Sequence, residues 1–193
     1  MASVDDILTF WFGRPNEPGH TEPRGRWFEQ DPGFDAECAR RFLATHEKAA
    51  AGELQAWRDE PRSALALVLL LDQFPRNIFR DSARAFATDA LALEVARHAL
   101  ARGLDVPLPP VWRWFFYMPF EHSEDIHDQR IAVSLFEALV PQYQTSATLR
   151  VYAQRHLDVI ERFGRFPHRN ALLGRESTPE EVAFLQEPNS SFQ

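Results

Sequence analysis

Two carboxylates and an amide interrupt the apolar face of one predicted helix. When the helix predicted over residues 123–140 is projected at 100° per residue, Asp125, Asp128 and Gln129 fall on the face that the apolar side chains define. A carboxylate that points into a protein interior needs a cation or hydrogen-bond donors, because burying an unpaired charge is costly. The pattern predicts that both carboxylates point inward, where they can brace the fold, bind a ligand or transfer protons.

Three further polar residues occupy positions that the pattern predicts to be buried. His156 lies within the apolar face of the helix predicted over 146–163, and Asp72 and Gln73 close an almost wholly apolar helix. A carboxylate at the C-terminal end of a helix opposes the helix dipole, so Asp72 needs a cation, and Arg76 is near in sequence. We expect these residues to find one another in the folded chain.

The loops beside these helix ends are also rich in hydrogen-bonding side chains. A Phe-Pro motif occurs twice, as FPRN at 74–77 and as FPHRN at 166–170, and it follows a predicted helix end in both places. Together with the interrupted faces, these loops define one candidate polar cluster. Its members are Asp72, Gln73, Arg76, Asn77, Glu121, His122, Asp125, Asp128, Gln129, His156, His168, Arg169 and Asn170.

Three interpretations of this cluster are open. It can be a buried network that braces helix ends, which we favour, or a pocket for a small polar ligand or for catalysis. It can also be a metal site, but no HExxH or other standard metal-binding spacing occurs, and we predict no metal and no cofactor. The possible metal ligands are Glu121, His122, Glu124, Asp125 and Asp128.

The helices that must position the cluster have clear start signals. N-cap residues stand at Ser3, Asp31 and Thr178, and the last two precede a proline suited to the first helical turn. Pro75 and Pro119 are expected to end the helices in which they fall. The main helices are predicted over 3–12, 32–50, 63–74, 88–102, 112–120, 123–140 and 146–163, with a last one from 178.

No pair of strands is evident between these helices. Residues 1–193 are therefore expected to form a single all-α domain of antiparallel helices. The glycine- and proline-rich residues 13–26 are predicted to be a loop, either a functional flap or, as we favour, a mobile segment, and residues 188–193 a frayed tail. The aromatic run at 112–117 is expected to pack in the core.

Composition excludes several classes of partner. The 193 residues carry 45% hydrophobic residues and a formal net charge of −7, and an acidic surface repels nucleic-acid phosphates. The longest apolar run, residues 64–71, is too short for a membrane span, and the N-terminus lacks the pattern of a signal peptide. The one cysteine, Cys38, is expected in the core. These features predict a cytoplasmic protein that binds neither nucleic acid nor membrane.

Three stretches carry a family resemblance: LDQFPRNIFR at 71–80, YMPFEHSE at 117–124 and GRFPHRN at 164–170. With FWF at 10–12 and the closing GR, ST and EE pairs at 174–181, the chain resembles the bacterial domain of unknown function 924 family. This resemblance implies a tetratricopeptide-like fold of stacked antiparallel helix pairs, and it implies no known activity. Members often have glycine where Asp81 stands here, a departure that affects only a turn.

Two functions are compatible with these features. A tetratricopeptide-like stack offers a concave surface, so the first hypothesis is a binding or scaffold module for an unknown protein, peptide or small polar ligand, by analogy of fold alone. The alternative is a hydrolase or lyase that acts on a small polar or anionic metabolite, provided that its histidines lie close enough for a substrate to bridge them. Its acid–base groups would be His122, His156, Asp125 and Asp128, with Arg76 and Arg169 holding the anion.

Overall fold

All regular secondary structure in the described part of the chain is helical. The computed structural model describes residues 1–188 and 190. Its α-helices there are α1 (Val4–Phe12), α2 (Pro32–Ala50), α3 (Pro61–Val68), α4 (Phe74–Ile78), α5 (Asp89–Ala101), α6 (Pro110–Glu121), α7 (Ile126–Leu139), α8 (Ser146–Phe163) and α9 (Pro179–Phe184). Short 3-10 turns cover Gly25–Trp27, Gln55–Asp59, Ala83–Phe86 and Pro167–Arg169. The prediction of an all-α fold is confirmed.

The predicted caps set several helix ends. Ser3 and Thr178 both form capping boxes, in which the hydroxyl accepts from a backbone N–H three residues on and an acidic side chain there accepts from the cap backbone. Asp31 accepts from the first backbone N–H groups of α2. Gly164 ends α8 in the left-handed conformation, at φ +68°. Local sequence alone specifies these boundaries.

The helix predicted to end at Phe74 instead continues through Pro75, and that prediction is wrong. A π-helical turn, Leu69–Gln73, joins α3 to α4. Pro75 has no N–H for the carbonyl of Leu71, so the Thr88 hydroxyl donates to that carbonyl over 2.6 Å. The ring of His46 donates to the neighbouring carbonyl of Leu70 over 2.8 Å. Side chains from other elements thus satisfy the carbonyls that the bulge and the proline release.

Pro119 likewise lies inside α6 rather than at its end, contrary to the prediction. The helix continues for two residues after the proline. Glu121 is its last residue and His122 its C-cap. The continuation places two members of the candidate cluster, Glu121 and His122, at the end of a buried helix.

Consecutive helices α6, α7 and α8 pack side by side with alternating direction. Only four residues, 122–125, join α6 to α7, and the Gln129 amide donates to the carbonyl of Glu121 over 2.6 Å. The start of α7 also lies beside the end of α8, where Arg130 pairs with Glu161 at 3.3 Å. Helices α6 and α8 therefore run parallel to each other. A tetratricopeptide-like superhelix is consistent with this packing and stays a prediction.

The core is aromatic and continuous from α1 to α8. Trp11 contacts the rings of Trp27, Phe74 and Phe115 with centroid separations between 5.3 and 6.1 Å. Cys38 is fully buried, and the aromatic residues of the 112–117 run are buried as predicted. No helix in the described part of the chain is long and apolar enough to cross a bilayer.

Hydrogen bonds fasten the loop over residues 13–26 to the helices beneath it. The Tyr143 hydroxyl donates to the Glu22 carboxylate over 2.7 Å, and the Trp112 indole donates to the carbonyl of His20 over 3.3 Å. These contacts hold the loop against α6 and the segment between α7 and α8. The loop therefore covers one side of the helices that carry the candidate cluster.

Two smaller predictions concern a turn and the chain end. Asp81 adopts φ +60°, the left-handed conformation that glycine takes most readily, so a glycine would fit this turn without strain. Of the tail predicted to fray, residues 189 and 191–193 lie outside the described residues. Ser190 is buried, and its hydroxyl donates to the carbonyl of Leu185 over 3.2 Å.

Candidate functional site

A cavity of about 540 Å³ lies where α4, α6 and α8 meet the loop before α2 and the Pro167–Arg169 turn. Most of the candidate polar cluster lines it. The cluster members in its wall are Gln73, Arg76, Asn77, Glu121, His122, His156, His168 and Arg169. Apolar and aromatic side chains complete the lining, among them Trp27, Phe28, Phe86, Trp114, Met118, Leu149 and Tyr152.

Asp72 lies behind the cavity wall and holds His122. Its side chain is fully buried, and Oδ1 lies 2.8 Å from Nδ1 of His122 and 3.4 Å from the Arg76 guanidinium. Oδ2 accepts from the Gln73 amide over 2.5 Å. Burial alone would raise the pKa of Asp72, but the charges of Arg76 and His122 outweigh it and hold that pKa below its usual range. Asp72 is therefore an ionised carboxylate beside the imidazole.

A second carboxylate–imidazole pair stands across from the first. Nδ1 of His156 lies 2.9 Å from the carboxylate of Glu121 and 2.9 Å from the carbonyl of Tyr152. Both Glu121 and His156 are buried. A carbonyl oxygen only accepts hydrogen bonds, so Nδ1 carries the hydrogen and its direction is fixed from two sides.

The two imidazoles face the same space. The ring centroids of His122 and His156 are 6.5 Å apart, with an interplanar angle of 60°. Each hydrogen bond to a substrate spans about 2.7–3.2 Å, so one small molecule can contact both rings. The two histidines are therefore close enough for one small substrate to bridge them, as the enzyme hypothesis requires.

Two arginines share one carboxylate at the same end of the cavity. Arg76 binds Asp89 through two parallel hydrogen bonds of 2.9 and 3.0 Å, and it also donates to the carbonyl of Asp72 over 2.5 Å. Burial alone would lower the pKa of Arg76, but Asp72 and Asp89 raise it above its usual range. Arg169 reaches Asp89 only at 3.4 Å. The carboxylate is thus committed mainly to Arg76.

Arg169 is a buried cation with few acceptors. It is only 7% exposed, stacked between Phe86 and Phe166 with its guanidinium carbon 4.7 and 4.6 Å from the ring centroids. Its buried Nε–H has no acceptor among the described residues. Burial, together with the charge of Arg76, lowers the pKa of Arg169 to about 10 although Asp89 opposes the shift. The guanidinium of Arg169 also lines the cavity, where an anion can add an acceptor to it.

His168 completes the polar end as a neutral group. Burial is the main cause that lowers its pKa, and the charge of Arg169 lowers it further, to about 3. At neutral pH the ring therefore adds a hydrogen-bonding group and no charge. Asn77, also in the wall, donates to Asp35 over 2.8 Å, and Asp35 is in turn held by Arg80.

Four predicted cluster members lie outside the cavity and brace helix ends. Asp125, expected to point inward, is exposed and accepts from the N–H of His127 as the N-cap of α7. Its backbone is extended rather than helical, so a helical projection misplaces it. Asp128 is buried but pairs with Arg97 and Ser123.

The other two braces are amides. The buried Gln129 amide donates to the carbonyls of Glu121 and Ser123, both over 2.6 Å, and so caps the end of α6. The buried Asn170 amide donates to Ser177 over 3.0 Å and to Glu181 over 3.3 Å. These four residues pair within the protein outside the cavity, while the other members line the cavity or, as Asp72 does, stand directly behind it.

Sequence reasoning missed several residues of the site. Asp89, the carboxylate shared by two arginines, stands in the first turn of α5, where an acidic residue is ordinary. The apolar wall residue Trp27 follows a glycine-rich loop and belongs to no long helical pattern. In the described part of the chain, no group of three or more histidine, cysteine or acidic side chains is placed to hold a metal ion.

Comparison with known proteins places the chain in a family. A model for a bacterial protein of unknown function, DUF924, matches residues 7–189. The chain belongs to this family. A solved structure of a protein of unknown function, ATU0120 from Agrobacterium tumefaciens, is 43% identical over 95% of this chain and 96% of that one, with a TM-score of 0.83. No curated protein matches.

The stretches that carried the DUF924 resemblance are also those that build the polar end of the cavity. Residues 71–80 supply Gln73, Arg76 and Asn77; the other two stretches supply Glu121, His122, His168 and Arg169. Of the cluster members in the wall, His156 alone comes from elsewhere. The chemistry-bearing residues and the family motifs therefore coincide in space.

Proposed function

We propose that this chain is an enzyme that transfers protons to and from a small anionic metabolite bound in the cavity, in a hydrolysis or an elimination. The observation that carries the proposal is the facing pair of imidazoles, each oriented by a buried carboxylate, with ring centroids 6.5 Å apart. Acid–base catalysis needs two proton-transfer groups within reach of one substrate. This arrangement supplies them.

His122 is the proposed general base. Because Asp72 is ionised and only accepts hydrogen bonds, the hydrogen of the neutral ring sits on Nδ1. Nε2 then has the lone pair that takes a proton from water or from the substrate. The negative charge of Asp72 stabilises the imidazolium that results.

His156, paired with Glu121, is the proposed partner acid beside His122: it acts as the imidazolium and gives up the proton on Nε2, because Nδ1–H is held by Glu121 and the carbonyl of Tyr152. The anion lies against Arg169, with Arg76 close behind it. This assignment keeps the histidines and arginines of the enzyme hypothesis. It replaces the roles suggested for Asp125 and Asp128, which lie outside the cavity, with Asp72 and Glu121.

The size of the cavity supports a small ligand over a protein partner. A volume of about 540 Å³ lies within the range of about 300–1,000 Å³ typical of small-molecule sites. A scaffold would present an extended groove instead.

We also propose, from the acidic composition and the one buried cysteine, that residues 1–193 act as a single domain in the cytoplasm.

A ligand screen with matched histidine variants tests the proposal. Thermal unfolding of the wild type, His122→Gln and His127→Gln is measured against a library of carboxylates, phosphorylated metabolites, amino acids and nucleotides. His127 is exposed on α7 and serves as the control. Each compound that stabilises the wild type is then followed by NMR for conversion.

The expected result is a compound that the wild type and His127→Gln both convert and that His122→Gln does not. General acid–base catalysis contributes about 10²–10⁴-fold, so the loss should be of that order. If His122→Gln converts the compound as fast as the wild type, the proposed base is wrong. If no compound binds and His122→Gln only melts earlier, the cluster is a brace.

A further inference from the structure

The cavity changes from apolar to polar along two helices that run in the same direction. On α6, Trp114 and Met118 line the cavity before Glu121 and His122. On α8, Thr148, Leu149 and Tyr152 line it before Arg155 and His156. Because α6 and α8 are parallel, their apolar residues lie together at one end and their ionisable residues at the other. The cavity therefore has an apolar half and a polar half.

The apolar half is built to stay apolar. Trp114, Met118 and Leu149 are each less than a tenth exposed, and the indole N–H of Trp114 already donates to the Ser146 hydroxyl over 2.9 Å. The Gly25–Trp27 turn adds the ring of Trp27, whose indole N–H donates to the carbonyl of Trp11 over 3.0 Å. Neither indole needs a polar partner from a ligand. This half offers a ligand mainly apolar surface, with the hydroxyls of Thr145 and Thr148 also in the lining.

The polar half leaves one cation short of acceptors. Arg76 has two parallel hydrogen bonds to Asp89, whereas Arg169 shares that carboxylate at 3.4 Å and keeps a buried Nε–H without an acceptor among the described residues. A guanidinium matches the planar, two-oxygen edge of a carboxylate. The wall also holds the carboxylate of Glu121, which repels a doubly charged phosphate more than a singly charged carboxylate.

We propose that the ligand of this cavity is an amphiphilic monoanion, with a carboxylate head bound to Arg169 and an apolar acyl or aryl body lying along α6 and α8. This inference rests on the proposed function, since it names the substrate class of the same site. Trp114 and His122 are eight residues apart on the helix, which corresponds to about 12 Å. That span accommodates an extended chain of roughly eight carbons with its carboxylate.

Calorimetric titration with straight-chain carboxylates tests the inference directly. The probes are acetate, butanoate, hexanoate, octanoate and decanoate, with octylamine and octyl phosphate as head-group controls. Burying one methylene contributes at most about fourfold in affinity, so affinity should rise by roughly that factor or less per methylene up to octanoate and then level off. Octylamine should not bind, and octyl phosphate should bind more weakly than octanoate.

Variants separate the two halves of the cavity. Arg169→Gln should weaken the binding of octanoate at least tenfold. Arg165→Gln should not, because the guanidinium of Arg165 is held by Glu181 outside the cavity. Leu149→Asn should flatten the dependence on chain length and keep the preference for a carboxylate. Leu149→Asn also keeps the test decisive if Arg169→Gln does not fold.

Two results would overturn the inference: an affinity independent of chain length, or equal binding of octanoate and octylamine. Tighter binding of octyl phosphate than of octanoate would replace the carboxylate by a dianionic head. The proposed catalysis fails separately. If octanoate binds with the expected length dependence but no acyl or aryl carboxylate derivative is converted, the ligand class stands and the acid–base role of His122 does not.

Discussion

Replacing Asp72 by asparagine removes the charge that organises the polar end of the cavity and keeps the shape of the side chain. The carboxylate serves His122 at 2.8 Å, Gln73 at 2.5 Å and Arg76 at 3.4 Å, with no exposure to solvent. Asparagine offers one acceptor oxygen where Asp72 offers two. Either His122 or Gln73 must therefore lose its acceptor or rearrange.

The size of the effect follows from what the other partners retain. Breaking a buried ion pair costs about 3–5 kcal/mol when a charge is left without a partner. Arg76 keeps its two hydrogen bonds to Asp89, so the loss is closer to that of one or two charge-assisted hydrogen bonds, about 2–3 kcal/mol. For a chain of this length, that corresponds to a fall of about 4–12 °C in melting temperature.

Asp128→Asn is the matched control for this experiment. Asp128 is also buried and ion-paired, but its partner Arg97 is half exposed and neither residue lines the cavity. Both variants should be less stable than the wild type in thermal and urea unfolding. Only Asp72→Asn should also lose conversion of the substrate, by about 100-fold or more.

Two outcomes contradict this reasoning. If the Asp72→Asn protein melts within a degree of the wild type, the contacts of the buried carboxylate with His122, Gln73 and Arg76 do not contribute to stability as expected. An Asp72→Asn protein that is destabilised but fully active shows that Asp72 is a brace and does not orient a catalytic base.

Three other predictions concern a buried base, a helix end and a thiol. Burial and the charge of Arg169 lower the pKa of His168 to about 3 from an ordinary 6.5, so the unfolded chain binds a proton that the folded one does not; stability should fall as pH drops from about 6.5 towards 3. Urea unfolding across that range should show a shallower slope for His168→Gln, and an unchanged slope would refute the assignment. Gly164→Ala should lower the free energy of unfolding by about 1–2 kcal/mol, because φ at this position is +68°. An added Cβ meets nothing within 4 Å, so the cost is conformational only, and equal stability of the two proteins would contradict it. Burial raises the pKa of Cys38 to about 12, so a thiol reagent should label it only after denaturation, and rapid labelling of the native protein would show that it is accessible.

Helix starts were predictable from the sequence, whereas two helix continuations were not. Ser3, Asp31 and Thr178 cap their helices through contacts within a few residues, which a local pattern contains. The passage through Pro75 depends on Thr88, which donates to a released carbonyl from another element. Its contribution is tertiary, so reading proline as a helix end is correct locally and wrong in this fold.

The site was predictable where a polar residue interrupts an apolar pattern. Asp72 and His156 broke the pattern of a buried helix, and the structure places both in or directly behind the cavity wall. Asp125 was misplaced because a cap residue with extended backbone does not follow the helical projection. Asp89 was missed because an acid in the first turn of a helix has an ordinary explanation in the helix dipole.

The state of the His122 ring, observed by NMR with ¹⁵N-labelled histidine, tests the proposed role of this residue most directly. At a pH where the ring is neutral, we expect hydrogen on Nδ1 and a lone pair on Nε2. Octanoate should shift the signals of both His122 and His156 and leave the signal of exposed His127 unchanged. Hydrogen on Nε2, or shifts that octanoate causes at His127 and not at His122, would contradict the claim that Asp72 poises His122 as a base in a ligand-binding cavity.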